Sequence, residues 1–214
     1  DRIPGTERHL ISLQYSDSAF LGQELVGQVY YRDESLRFYP FPTVNANKQV
    51  TAFSSSQQDT DQYGMKLTLN SKPMDGWQIT WGLDADHERF TSNQMFFDLA
   101  QASASGGLNN KKIYTTGRYP SYDITNLAAF LQSDYDINNL FTLNGGVRYQ
   151  YTENKIDDFI GYAQQRQIAA GKATSADAIP GGSVDYDNFL FNAGLLMHIT
   201  ERQQAWLNFS QGVE

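Results

Sequence analysis

The sequence predicts an all-β fold, a transmembrane antiparallel β-barrel, with about eight strands of it present in the chain. Three observations carry this. The first is a clean period of two in two segments. In Gly76–Asp86, Trp77, Ile79, Trp81, Leu83 and Ala85 share one face, and Gln78, Thr80, Gly82, Asp84 and Asp86 share the other. In Leu140–Thr152, Phe141, Leu143, Gly145, Val147, Tyr149 and Tyr151 oppose Thr142, Asn144, Gly146, Arg148, Gln150 and Thr152. Side chains alternate across a strand, so each segment has an apolar and a polar face. Strands of roughly ten residues with this repeat suit a wall between lipid and a polar lumen. The second is aromatic content, 14% of the chain, which fits girdles at membrane interfaces. The third is rhythm: connections alternate between short turns and long stretches, as in barrels with turns at one rim and loops at the other.

Taken in order, the first strand is Glu7–Ser16, with His9, Ile11, Leu13 and Tyr15 on one face, and Asp17–Gly22 connects it to Gln23–Arg32. A long stretch, residues 33–56, follows. Its Pro40 and Pro42 lack backbone donors and argue against a central strand there. The third strand is about Gln57–Ser71. Pro73 and Gly76 then mark a tight turn into the Trp77 strand. Residues 88–119 form the second long stretch. The fifth strand, about Tyr122–Ile137, turns at Asn138-Asn139 into the sixth. In the third long stretch, residues 153–185, Asp157 or Asp158 is expected to cap a short helix that runs through Ala170 and ends at Gly171. Tyr186–Thr200 and Gln204–Val213 complete the eight.

The totals exclude several classes. Net charge is −8 over 214 residues, so the basic patch that nucleic acid requires is not expected, and no nucleic-acid partner is predicted. Without cysteine there is no disulfide scaffold, thiolate zinc site or thiol nucleophile. Mean hydropathy is −0.51 and the longest purely apolar run is about Leu127–Leu131, which excludes a transmembrane helix but not a barrel. The chain starts at Asp1 without an initiator Met or signal peptide and stops at Glu214 in a strand-like phrase; the expectation is an internal piece of a larger protein.

Few motifs carry chemistry. Asp84-Ala85-Asp86-His87-Glu88 is the most metal-like cluster, but strand geometry turns His87 away from Asp84 and Asp86. A polar lumen wall is the better reading of it. His9, His87 and His198 lack zinc-motif spacing, so no metal site is expected. Gly171-Lys172-Ala173-Thr174 has Arg166 where a phosphate loop needs glycine, and no GxSxG elbow exists.

Asn126–Thr152 carries the pieces Ala129-Phe130-Leu131-Gln132-Ser133-Asp134-Tyr135 and Leu140-Phe141-Thr142-Leu143-Asn144-Gly145-Gly146-Val147-Arg148-Tyr149. These resemble the mid-barrel hairpin of TonB-dependent outer-membrane siderophore receptors, and Trp206–Gly212 resembles a later strand of that family at the right spacing. Ser35–Gln49, the region about Lys111–Tyr122 and Gln164–Gly171 look like the branch that takes ferric aerobactin, an anionic citrate–hydroxamate iron chelate. The resemblance implies a transporter of the bacterial outer membrane, not an enzyme. It also implies a larger plugged barrel whose plug, TonB box and C-terminal strands lie outside this chain. The partners implied are a ferric siderophore, TonB, outer-membrane lipid and lipopolysaccharide, and a bacteriocin docking on the loops. No cofactor is expected on the protein itself, since iron travels as the chelate.

An anionic chelate calls for cations and aromatic rings near the outer rim, and arginine forks suit carboxylates. The candidates are Arg37, Phe38 and Tyr39, then Lys111 and Lys112, then Arg118, Tyr119 and Tyr122. Trp77, Trp81, Tyr135, Tyr149 and Tyr151 read as lipid-facing girdle residues. Two alternatives stay open: a small binding-only or adhesin-like barrel, and a barrel hydrolase using His198 with Ser210.

Overall fold

The computed structural model describes residues 4–212. Its elements are β1 (Pro4–Phe20), β2 (Gln23–Val44), β3 (Val50–Met74), β4 (Trp77–Phe97), α1 (Leu99–Ala104), β5 (Lys112–Gly117), β6 (Tyr122–Asp136), β7 (Phe141–Ile156), α2 (Tyr162–Ala169), β8 (Gly182–Thr200) and β9 (Gln203–Ser210). Eight of the strands form one antiparallel meander in sequence order, and the short β5 pairs with the far end of β4. Among the described residues the sheet is open, with β1 and β9 at its edges. The expected all-β barrel wall is therefore present as a curtain of strands. No described helix is long and apolar enough to cross a membrane.

The alternation sets the two faces. Trp77, Ile79, Trp81, Leu83 and Ala85 of β4 lie beside Tyr135, Ser133, Leu131, Ala129 and Leu127 of β6. β7 and β8 continue the band with Leu143 opposite Leu195 and Val147 opposite Phe191. The polar face carries Asp84, Asn126, Arg148 and their neighbours. Tight turns close one rim: Leu21 and Gly22 have φ of 49° and 78°, the backbone a right-twisted two-residue hairpin requires.

The other rim departs from expectation. Strand pairing continues through much of the segments read as loops over 33–56, 88–119 and 153–185. β2 runs to Val44 and β3 starts at Val50, leaving Asn45–Gln49 as a tight turn held by the Asn45 side chain, which accepts from the amides of Asn47 and Gln49. Pro40 does not stop β2 because it falls in a register shift between Phe38 and Phe41, where an extra residue leaves the ladder. β4 extends to Phe97, and Asp98 caps α1 by accepting from the Gln101 amide. The cap of α2 is Gly161, not Asp157 or Asp158. Asp158 instead accepts from the Gly181 amide, and Gly171 follows the helix at φ 68° as expected.

Full burial is concentrated at this upper rim. Ala52, Phe53, Ser54, Ser56, Phe96 and Thr116 are buried there. α1 covers the apolar face, with Ala102 fully buried and Gly107 close to the Phe53 ring. α2 covers the polar face against Phe96. The rim is thus a small folded layer standing on a thin wall.

Candidate functional site

The site grows out of the polar face where β3, β4 and β5 run above the apolar band. Register places Ser54, Phe96 and Tyr114 in one row and Ser56, Gln94 and Thr116 in the next. The Arg118 amide donates to the Ser92 carbonyl, so Arg118 follows Tyr114 and Thr116 on this face. Phe96 stacks on Tyr114 with ring centroids 4.8 Å apart. The register shift after Phe38 returns Phe41 to a place opposite Ser54, on the same face.

α2 completes the cluster. Tyr162 and Arg166 are one helical turn apart and so share a face. Tyr162 meets Phe96 at 6.1 Å, and the Arg166 guanidinium carbon lies 4.7 Å from the Phe96 ring and 5.9 Å from Tyr162. Arg118 lies 5.2 Å over Tyr119. Each guanidinium therefore stacks on an aromatic face, which holds it in place while its N–H groups remain available as donors. Gln165 anchors the helix: its Oε1 accepts from the Gly117 amide at 2.7 Å and its Nε2 donates to the Ile160 carbonyl. Burial pushes the Tyr162 phenol up, against the pull of Arg166 and Arg118, so it is a neutral hydroxyl at physiological pH.

Two hollows meet at Tyr119. One, about 370 Å³, is lined by Phe41, Thr43, Gln94, Arg118, Tyr119 and Tyr162. The other, about 540 Å³, includes Ser92, Thr116, Ser121, Asp157 and Ile168. The Ser92 and Thr116 hydroxyls are buried and make no hydrogen bond within the protein. Unsatisfied buried hydroxyls cost free energy, which a ligand or water accepting from them recovers. Two cations, several rings and free hydroxyls suit a polyanionic, oxygen-rich molecule.

The residues singled out in the sequence divide between faces. Arg118 and Tyr119 are in the cluster. Tyr122 lies lower on the same face, stacked on Phe90 at 4.8 Å, and Phe38 sits opposite Ser56. Arg37 is on the other face, 3.9 Å from Glu7, and the exposed Tyr39 packs beside Gly5 there. The exposed Lys111 and Lys112 flank the start of β5. The structure therefore separates Arg37 from Arg118. Phe41, Phe96, Tyr162 and Arg166 were not singled out. For Tyr162 and Arg166 the available signal was their i, i+4 spacing in the expected helix; for Phe41 it was the Tyr39-Pro40-Phe41-Pro42 phrase.

Below the rim most charged groups of the polar wall are paired within it, although the buried Nε of Arg32 has no hydrogen-bond partner. Arg148 pairs with Asp84 at 2.8 Å, Asn126 donates to Asp86 at 3.1 Å, and Arg32 stands 3.7 Å from Glu88. His87 points to the opposite face, beside Thr125 and Asp123. Among the described residues no three His, Asp or Glu side chains are placed to hold a metal ion. The hydrolase pair does not form: His198 sits opposite Gln204, and Ser210 opposite Asn192, roughly 20 Å along the strand.

Comparison with known proteins agrees with this architecture. The family model described as TonB dependent receptor-like, beta-barrel matches residues 2–214. Over all 214 residues the chain is 93% identical to the ferric aerobactin receptor of Escherichia coli and 46% identical to the rhizobactin receptor of Rhizobium meliloti (strain 1021). It spans 29% of the length of each. Among solved structures it resembles the copper transporter OprC, with a TM-score of 0.71 at 13% identity, covering 98% of this chain and 30% of that one. It also resembles the unliganded ferric citrate transporter FecA, with a TM-score of 0.63 at 16% identity, covering 96% of this chain and 27% of that one. At such identities these two likenesses bear on the fold alone. With its alternating wall, its rim of long connections and a family match across nearly its whole length, the chain belongs to the TonB-dependent receptor β-barrels of the bacterial outer membrane.

Proposed function

We propose that the protein containing this chain imports ferric aerobactin, and that Arg118 and Arg166 with Phe41, Tyr119 and Tyr162 form part of the chelate's seat. The observation that carries the reading is the pairing of two ring-stacked guanidiniums on one rim of the polar face. Carboxylate-rich iron chelates are anionic, and a planar guanidinium binds a carboxylate through two parallel hydrogen bonds. The 93% identity to a ferric aerobactin receptor supports the same ligand. Transport is energised by TonB through segments outside this chain, and the protein holds no cofactor of its own. The exposed upper rim is also a docking surface for a bacteriocin. That the similar proteins are receptors supports reading this one as a receptor and not an enzyme.

The test is binding and growth with the complete receptor. Arg118→Ala combined with Arg166→Ala is expected to weaken ferric aerobactin binding by about a hundredfold or more and to abolish growth of an iron-starved, receptor-deficient strain on that chelate. Two lost charge-assisted contacts correspond to about 3 kcal/mol or more. Wild-type affinity in the double variant would remove the cluster from the seat. Preference of the wild type for rhizobactin over aerobactin would discard the ligand.

A further inference from the structure

The two hollows that meet at Tyr119 differ in character, and α2 borders both. Its Tyr162 lines the smaller one, where Arg118 is the cation and Arg166 stands beside Tyr162. Gln165, Ile168 and Ala169, at i, i+3 and i+4, form a face of the same helix that walls the larger one of about 540 Å³. Phe159 and Ile160 add apolar surface to that hollow. Phe159 is fixed by two backbone hydrogen bonds with Ile179, and its ring packs close to Gly117.

Among the described residues, the lining of the larger hollow includes two carboxylates, Asp157 and Asp158, and no lysine or arginine. Arg89 reaches Asp157 only at 3.8 Å, and Asp158 accepts from the Gly181 amide at 2.8 Å. An anionic group entering there meets negative charge that is poorly matched. The lining offers two other things. One is the apolar surface. The other is the hydroxyl groups of Ser92 and Thr116, on side chains more than nine-tenths buried and without a partner in the protein. A hydroxyl donates to a neutral acyl oxygen without any charge on the ligand.

We propose that the larger hollow is a specificity subsite for the neutral acyl cap of one hydroxamate arm, beside the guanidiniums that take the chelate's carboxylates. The acyl carbons lie along Ile168 and Ala169, and the acyl oxygen accepts from the Thr116 or Ser92 hydroxyl. Asp157 and Asp158 turn away caps that carry a negative charge. Selection of this kind works through an unfavourable contact for the wrong ligand as much as a favourable one for the right ligand. The receptor thus sorts chelates by what caps the arm and not by total charge alone. Unbranched aliphatic caps longer than acetyl fit, because a hollow of this size is in the range of small-molecule sites, about 300–1,000 Å³. Caps that end in a carboxylate do not. The inference rests on the chelate seat proposed above and specifies its substrate class.

The test measures binding of three synthetic ferric citrate–dihydroxamates to the complete receptor, capped with acetyl, butanoyl or succinyl groups. Wild-type receptor is expected to bind the butanoyl chelate within about threefold of the acetyl chelate, and the succinyl chelate at least tenfold more weakly. Ala169→Phe, which fills the hollow, is expected to weaken the butanoyl chelate at least tenfold and the acetyl chelate less than threefold, so that acetyl affinity reports an intact fold. Asp157→Asn with Asp158→Asn is expected to raise succinyl affinity at least fivefold and leave acetyl affinity unchanged. Equal wild-type affinity for the succinyl and butanoyl chelates, or an equal effect of Ala169→Phe on the acetyl and butanoyl chelates, would overturn the proposal and leave the seat standing. Arg118→Ala with Arg166→Ala should weaken all three chelates by one common factor. Normal binding of all three by that double variant would remove the seat, and this proposal with it.

Discussion

At the residue scale, the wall depends on glycines that make room for large neighbours. The Tyr30 ring lies 2.7 Å from where a Cβ on Gly64 would stand, and the Phe130 ring 2.6 Å from the same point on Gly82, which also faces the Leu67 carbonyl. Gly145, on the apolar face, has only the Asn192 carbonyl at 3.7 Å. Gly82→Ala is expected to destabilise the complete receptor by about 1–3 kcal/mol through overpacking, and Gly145→Ala by less than about 0.5 kcal/mol. Urea unfolding followed by heat-modifiable gel mobility checks the pair; equal stabilities would show that the close approach relaxes freely. Residue identity made Arg118 and Tyr119 legible as ligand candidates, because an exposed cation beside a ring in a loop is readable locally. Arg166 was not legible. Its role depends on Phe96, which lies 70 positions earlier and meets it only once β4 extends past the expected boundary.

At the element scale, the strands were the readable part. Period-two alternation survives in β4, β6, β7 and β8 because lipid on one side and polar groups on the other fix every second residue. Above the apolar band that constraint ends, so the upper halves of β2, β3 and β4 look irregular in sequence although their backbones stay paired. Pro40 misled for a related reason: a register shift removes the need for its missing donor. α1 was not expected, and its signal was the Asp98 cap. The element that positions Arg166 is α2, and Gln165 is its tie to β5. Gln165→Ala is expected to raise hydrogen exchange at the Gly117 amide at least tenfold, about 1.4 kcal/mol, and to weaken chelate binding severalfold through displacement of Arg166. Unchanged exchange at Gly117 would show that packing of Tyr162 on Phe96 alone holds the helix.

For the whole molecule, the described sheet has two free edges and little interior. β1 pairs only with β2, and β9 only with β8. The apolar face displays Ile11, Leu13, Phe189, Phe191, Leu207 and Phe209 with at least half of each exposed. Such edges and faces are templates for association. The isolated 214-residue chain, refolded in detergent, is expected to form large, strand-rich assemblies, checked by light scattering and circular dichroism. A monodisperse, heat-modifiable monomer would show that the curtain closes on itself. The overall architecture was legible because a barrel is a repeated constraint; the three-dimensional seat was not, because it is assembled from connections whose spacing obeys no repeat.

The unequal strand heights shape the route to that seat. Phe90, Tyr122 and Ile156 stand level across β4, β6 and β7. There β6 starts and β7 ends, while β4 climbs on to Phe97 and β3 reaches Val50. One side of the mouth is therefore a tall parapet, about 25 Å higher along the strands. The other side is a low sill, and α2 stands against the polar face of the tall side, on Phe96 of β4 and Gly117 of β5. A bulky particle arriving from outside meets the parapet first, whereas the proposed seat at Arg166 is open to a small molecule that crosses the sill.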